Sequence, residues 1–180
     1  SATYFDLGFC YLQKKMFHLS SLYFEKRLEY RPSDDAIGRA NLGICYEGTG
    51  QHKSAQKCFE TALKIDPKYI EAYQFWGRAL MSNKKYPEAK EKFQKAYELS
   101  KSDEDLLWKG RAIKKIGGSY PRSSDRRLSI TKEAEEIFDS ILESTECGGE
   151  AMLEKGNCNW NLDKNNIAED CWLKACKIIP

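Results

Sequence analysis

Residues 42–67 read LGICYEGTGQHKSAQKCFETALKIDP, and this stretch predicts two helices joined by a tight turn. Apolar residues recur at helical spacing before the GlyThrGly break at 48–50, and they do so again from 52 to 65. The Asp66-Pro67 pair then ends the second helix, because proline has no N–H to donate and disfavours helix in the residue before it. The stretch therefore encodes one helical hairpin.

This hairpin recurs along the chain with a period of about 34 residues. A glycine marks the first helix of each copy: Gly8, Gly43, Gly77, Gly110 and Gly156. An aromatic residue marks the second helix: Phe24, Phe59, Phe93, Phe138 and Trp172. The glycine series and the aromatic series agree over five copies. This agreement indicates one hairpin that is repeated and stacked along the chain. No stretch alternates in the manner of a strand, so we predict an all-α fold.

The spacing predicts a single array of five repeats, which we number 1 to 5, at about 1–35, 36–69, 70–102, 103–148 and 149–180. Repeat 4 carries an insertion at 117–129, which we expect to form a loop before a second helix over 131–144. The chain lacks an initiator Met and a signal peptide, and it stops on Pro180 with no capping helix. We therefore interpret it as part of a longer protein, whose end is covered by further repeats, another domain, a partner or self-association.

The pattern resembles the tetratricopeptide repeat (TPR) family. Repeat 2 carries the family's residues at Leu42-Gly43, Tyr46, Ala55, Phe59, Ala62 and Pro67. Repeat 1 has Arg27 in the second alanine position, and repeat 5 has Asn159 in the tyrosine position. The resemblance implies a right-handed superhelical solenoid with a concave groove lined by the first helix of each repeat. It also implies a non-catalytic scaffold or adaptor that binds protein, with no cofactor.

The side chains predicted to face this groove are apolar, aromatic and basic. The candidates are Phe5, Phe9, Asn41, Phe75, Arg78, Trp108, Arg111, Lys114 and Trp160, with Leu107 and Glu154 beside them. Aromatic residues and arginine are the types that dominate binding energy at interfaces. We expect a peptide partner that is apolar with some acidic residues. The alternative is that the aromatic rings pack between repeats.

Two more specific kinds of partner are less well supported. Chaperone-adaptor members of the family grip a C-terminal carboxylate through Lys, Asn and Arg, but here Phe5, Phe9, Glu71 and Phe75 occupy those positions and Asn41 alone matches. Residues 101–132 hold nine Lys or Arg and four Asp or Glu, a net +5, whereas the whole chain is only +2. Nucleic-acid binding therefore remains an alternative, and the basic segment is either solvated or faces an acidic partner.

The remaining composition restricts the chemistry. No apolar run approaches the 18 residues or so of a membrane span. His18 and His52 fit no nucleophile or metal pattern, so we predict neither catalysis nor a metal site. Of the seven cysteines, all but Cys147 fall in helix-packing positions. This favours buried reduced thiols over a disulfide or metal site, and hence the cytoplasm or nucleus.

A modification site is also encoded in the insertion. Residues 126–129 read Arg-Arg-Leu-Ser, the pattern of a basophilic kinase site, with Ser129 as the acceptor. A phosphate there would offset the local positive charge and interact with the following helix N-terminus. The alternative is a solvated loop with no modification.

Overall fold

The structure is a computed structural model that describes residues 2–31, 33–141 and 147–179. All regular secondary structure in these ranges is helical, which confirms the predicted all-α fold of paired helices. The helices are α1 (Ala2–Gln13), α2 (Phe17–Tyr30), α3 (Ala36–Gly48), α4 (His52–Ile65), α5 (Ile70–Ser82), α6 (Tyr86–Ser100), α7 (Asp103–Gly118), α8 (Asp125–Ile141), α9 (Gly148–Asn161) and α10 (Asn165–Ile178). Within the described ranges, none is long and apolar enough to cross a membrane. Pro32, Pro180 and the predicted helix end at Ser144 lie outside the described residues.

The chain divides into two compact units, the N-unit (Ser1–Ala79) and the C-unit (Leu80–Pro180). In the N-unit, α1 to α4 pack in chain order and α1 also contacts α3. In the C-unit, α6 to α10 pack in chain order and α7 also contacts α9. The first helices of neighbouring repeats therefore lie side by side within each unit, as a groove lined by first helices requires.

In repeats 1, 2, 4 and 5 an aromatic ring of the second helix packs on a glycine of the first helix. A Cβ added to Gly43 would lie 2.9 Å from the Phe59 ring, and one added to Gly110 would lie 2.6 Å from the Phe138 ring. The Phe59 and Phe138 side chains are almost completely buried. The recurring glycine is thus explained by close approach: any larger residue would push the ring off the helix backbone.

The turn inside the hairpin is the same in four repeats. One residue adopts positive φ in each of these turns, between 56° and 76°: Lys15, Gly50, Lys84 and Asp163. The amide of the next residue then donates back to a carbonyl in the first helix, as Gln51 does to Tyr46 at 2.8 Å. Only glycine adopts this conformation without steric cost, so the other three repeats hold a strained backbone at the same position.

The insertion in repeat 4 forms a loop only at 119–124, so the loop is shorter than the expected 117–129. Helix α7 continues to Gly118 and α8 already begins at Asp125. The extra turns pack on each other, since a Cβ added to Gly117 would lie 3.0 Å from the Thr131 hydroxyl. Asp125 in the first turn of α8 interacts favourably with the helix dipole. Asp125 and Arg126 are exposed on α8, whereas Arg127 is partly buried and donates to the Tyr120 carbonyl at 3.1 Å.

The cysteines fall into three classes of burial, with Cys58 and Cys147 intermediate. Cys45, Cys158 and Cys171 are buried, as predicted, and all seven cysteines are free thiols. Cys10 and Cys176 are exposed, so the prediction that they are buried is wrong. Cys45 of α3 lies against α2 and donates to Ser20 Oγ at 3.1 Å.

Candidate functional site

The surface shared by α7 and α9 in the C-unit, which we call the C-groove, is organised around Trp108. The Trp108 ring stacks on Phe93 of α6, with ring centres 5.6 Å apart and planes at 20°. The guanidinium carbon of Arg111, one turn further along α7, lies 4.9 Å from the centre of the Trp108 ring. Stacking and a cation–π contact thus hold a partly exposed indole in one orientation.

Two glutamates of α9 compensate the basic residues of α7. Arg111 donates from Nε to Glu154 at 2.9 Å and from Nη2 to Glu150 at 2.6 Å. Lys114 donates to the other oxygen of Glu154. The two cations and two carboxylates form one network that ties α7 to α9. The charges of Arg111 and Lys114 are therefore already paired within the C-unit.

Glu154 is the central member of this network. Burial alone would raise the pKa of Glu154, but attraction to Lys114 and hydrogen bonds from Lys114 and Arg111 outweigh it, so this pKa lies below its ordinary value of 4.5. The Glu154 side chain is 11% exposed, whereas that of Glu150 is 58% exposed. Glu154 is thus a fixed internal partner, and Glu150 is the carboxylate that solvent or a ligand reaches.

A cavity of about 380 Å³ opens beside Trp108, at the start of α9. Its lining combines apolar and polar groups: Ser102, Glu104, Leu107, Trp108, Arg111, Cys147 and Glu150. The indole forms one wall of the cavity, and most of the remaining exposed lining is polar or charged. Leu107 lies at the floor of this cavity and is otherwise buried in the core.

The surface shared by α1 and α3 in the N-unit, which we call the N-groove, is aromatic. Phe5 packs edge-on against the buried Phe24 at 5.9 Å, and Phe9 stacks on Phe5 at 6.1 Å. The guanidinium carbon of Arg27 lies 4.7 Å from the centre of the Phe5 ring, and the same side chain pairs with the buried Asp35. Phe5 is thus an internal packing residue, while Phe9 is 43% exposed.

The other predicted site residues are not gathered at one place. Asn41 is buried and donates to the Ile37 carbonyl at 3.0 Å, so it supports α3 and is not an exposed contact. Trp160 is half exposed beside Trp172 on α10. Ser129 is exposed but lies within α8, not in a loop. Phe75 and Arg78 lie on α5 and are partly buried.

The sequence interpretation missed several groups that line the cavity, above all Glu150 and Cys147. A signal for Glu150 was present. Glu150 and Glu154 are four residues apart on α9, while Arg111 and Lys114 are three apart on α7, so each pair lies on one helix face. Opposite charges on adjacent first helices indicate a cross-helix network.

Among the described residues, no group of three or more His, Cys, Asp or Glu side chains is placed to hold a metal ion.

Comparison with known sequences identifies the repeat. The tetratricopeptide repeat family model matches residues 36–69, and a second model of the same description matches residues 70–103. The small glutamine-rich tetratricopeptide repeat-containing protein 2 of Mycosarcoma maydis is 38% identical over 100 residues, which cover 56% of this chain and 28% of that protein. The chain spans less than a third of the length of the curated relatives it matches.

Solved structures agree on the fold. The crystal structure of MamA matches 98% of this chain and 90% of its own, with a TM-score of 0.76 and 18% identity. The structure of YrrB, described as a TPR protein with an unusual peptide-binding site, matches 98% of this chain and 85% of its own, with a TM-score of 0.72 and 20% identity. At these identities the likeness concerns the fold alone. The family matches identify residues 36–103 as tetratricopeptide repeats, and the described hairpins on either side of them share the same fold.

Proposed function

We propose that this chain is a non-catalytic interaction scaffold that binds a peptide segment of a partner protein in the C-groove, within a multiprotein complex. The observation that carries the proposal is the cavity beside Trp108. It offers an oriented indole and the Cys147 thiol as apolar surface, with Arg111 and Glu150 at the rim. The rest of the exposed lining is polar, so such a cavity fits one apolar side chain of a peptide against the indole, together with a polar neighbour.

The ion network determines how an acidic partner would contribute. A carboxylate of the peptide has to compete with Glu150 for Arg111, because Glu154 is buried between Arg111 and Lys114. Exchange of one exposed carboxylate for another changes the binding free energy by only ~0–1 kcal/mol. We therefore propose that the apolar side chain supplies most of the affinity and that an adjacent acidic residue, replacing Glu150, adds selectivity.

Exposed rings outside the cavity are candidates for separate contacts, which the peptide bound beside Trp108 does not need. Phe9 in the N-groove and Trp160 on α9 each present a half-exposed aromatic surface. Phe75 and Arg78 stay candidates on α5. Free thiols at all seven cysteines are consistent with a reducing compartment, and we propose the cytoplasm or nucleus as the location.

The proposal is tested by selection of peptides on the intact chain. Random twelve-residue peptides displayed on phage are selected, and the enriched peptides are titrated by fluorescence anisotropy. We expect an apolar anchor in the selected peptides and a loss of affinity of about tenfold or more on Trp108→Ala, since buried aromatic anchors contribute about 2 kcal/mol or more. Trp160→Ala is the matched control, because Trp160 does not line the cavity.

Three outcomes would contradict the proposal. The first is that no peptide is enriched, and the second is that Trp160→Ala weakens binding as much as Trp108→Ala does. The third is that a single-stranded RNA of about 20 nucleotides binds tightly, with an affinity that falls steeply with salt, while peptides do not bind. That result would favour the alternative of a nucleic-acid-binding repeat. Circular dichroism of each variant confirms that the helices are retained.

A further inference from the structure

The arginine-rich stretch at 126–129 is a motif that the proposed peptide site leaves unused. Ser129 is exposed and is the fifth residue of α8, with arginines two and three residues before it. The chain holds this pattern once. Helix α8 lies between α7 and α9 and packs on both, so the exposure of Ser129 is set inside the array. None of these residues lines the cavity beside Trp108.

The first turn of α8 is held more weakly than the rest of the helix. Residues 125–130 include no buried side chain, whereas Thr131 is buried and packs on Gly117. The amide of Leu128 donates to the Ser124 carbonyl at 3.2 Å, which is long for a helical hydrogen bond. A segment with few buried contacts opens at a low cost in free energy. The first turn can therefore open and present its serine to a kinase while the rest of the helix stays packed.

Tyr120 of the short loop before α8 contacts both arginines. The guanidinium carbon of Arg126 lies 5.0 Å from the centre of the Tyr120 ring, and Arg127 donates to the Tyr120 carbonyl at 3.1 Å. Neither contact involves a carboxylate, so neither offsets the positive charge of its guanidinium group. Two charged arginines at a fixed distance from a serine are what the acidic subsites of a basophilic kinase bind.

We propose that Ser129 is a phosphorylation site for a basophilic serine kinase that uses ATP. In the transfer, the bond between Ser129 Oγ and the γ-phosphorus forms, and the bond from that phosphorus to the bridging oxygen of ADP breaks. ADP leaves with the electron pair of the broken bond, and the hydroxyl proton passes to a carboxylate of the kinase. The product carries about two negative charges on the surface of α8.

The phosphate would strengthen the start of α8. Arg126 and Lys132 stand three residues before and after the serine, so both reach it on the same helix face. Of the carboxylates four residues away, Glu133 already pairs with Lys90 of α6 at 2.8 Å, which leaves Asp125 to oppose the phosphate. Two cations against one carboxylate give net attraction, and charge-assisted hydrogen bonds to the phosphate order the turn.

The first test is phosphorylation of the intact chain with ATP and the catalytic subunit of cyclic-AMP-dependent protein kinase. The chain should take up one phosphoryl group, which tandem mass spectrometry is expected to locate on Ser129. Ser129→Ala should abolish the uptake, and Arg126→Ala should lower kcat/KM about tenfold or more, since it removes a guanidinium–carboxylate contact with the kinase. Ser140→Ala is the matched control, because Ser140 is an exposed serine of the same helix without arginines before it.

A synthetic peptide of residues 122–134 separates recognition from access. Phosphorylation of both the peptide and the intact chain supports the proposal. A peptide that is phosphorylated while the chain is not shows that α8 withholds the serine, and this overturns the proposal. Failure of both, or uptake by the chain that Ser129→Ala leaves unchanged, overturns it as well.

Hydrogen exchange tests the effect of the phosphate. In the phosphorylated chain, the amides of residues 125–131 should exchange about threefold more slowly or less than in the unmodified chain, because the ordered turn opens less often. Lys132→Ala should reduce this slowing without preventing phosphorylation. Faster exchange after phosphorylation would mean that the phosphate melts the turn, and it would overturn the proposed pairing with Arg126 and Lys132.

Discussion

The N-groove and the C-groove are built over the same hairpin interior but present different surfaces. Beneath both, a ring packs on a glycine, as Phe59 does on Gly43 and Phe138 does on Gly110. In the N-groove, the exposed surface is the Phe9 ring, which stacks on the Phe5 ring beneath it. In the C-groove, it is Trp108 beside a network of two cations and two carboxylates, together with a cavity.

This difference separates residues that specify the fold from residues that specify the partner. The ring-on-glycine interior is repeated because every hairpin needs the same close packing between its two helices. The groove surface is free to vary, since it makes few contacts that the hairpin needs. Substitutions in the interior should therefore change stability in either unit, while substitutions in a groove should act on that groove alone.

The largest effect is expected from a ring of the interior. Phe138→Ala should lower the free energy of unfolding by about 3–5 kcal/mol, because Phe138 is fully buried and its removal leaves a cavity. Phe9→Ala in the N-groove removes a half-exposed ring and should cost below about 1 kcal/mol. Urea unfolding followed by circular dichroism measures both. Equal costs would contradict the separation of interior from groove.

A smaller effect is expected from the buried carboxylate of the C-groove. Glu154→Gln leaves Arg111 and Lys114 without their shared charge and should cost about 1–3 kcal/mol at pH 7. Because the pKa of Glu154 is lowered on folding, its contribution is present above pH 4.5 and is lost as the pH falls through the lowered folded-state value. The difference between wild type and variant should therefore shrink in acid.

Glu98→Gln is the control for this pH dependence. The pKa of Glu98 is also lowered, by hydrogen bonds from Lys95 and Gln94, but its carboxylate is solvent-exposed. Solvent screens such a pair, so its removal should change stability little at any pH. Unfolding of both variants by urea at pH 7 and near pH 3 makes the comparison. A Glu154→Gln penalty that does not change with pH would refute the role given to this network.

The smallest effects are expected in the turns. The positive-φ position is Lys15 in the first hairpin of the N-unit and Gly50 in the second. Gly50→Lys places a side chain at φ 76° and should destabilise by about 1 kcal/mol, since non-glycine residues resist this conformation. Lys15→Gly relieves the same strain at φ 56° and should stabilise by up to about 1 kcal/mol. Thermal unfolding midpoints report both. Shifts of the same sign would show that the two turns are not equivalent.

Much of this protein follows from local sequence pattern. The period, the glycine–aromatic pairs and most helix bounds could be predicted, and α4 begins and ends at the residues expected, His52 and Ile65. The placement of Trp108 and Arg111 on one face of α7 follows from their spacing of three. These features are readable because helix periodicity and turn residues act within a few positions of each other.

What the tertiary structure decided involves residues far apart in the chain. The pairing of Arg111 with Glu150 and Glu154 spans about 40 residues, and it turns an apparent anchor for an acidic partner into a mostly satisfied internal contact. The burial of Asn41 and Leu107, the exposure of Cys176 and the shorter loop of the insertion likewise depend on which helix packs against which. A repeat pattern specifies the position of each residue in its hairpin. Whether that position is buried, paired or exposed depends on the neighbouring helix. That helix is distant in sequence, so a local pattern does not predict the contact.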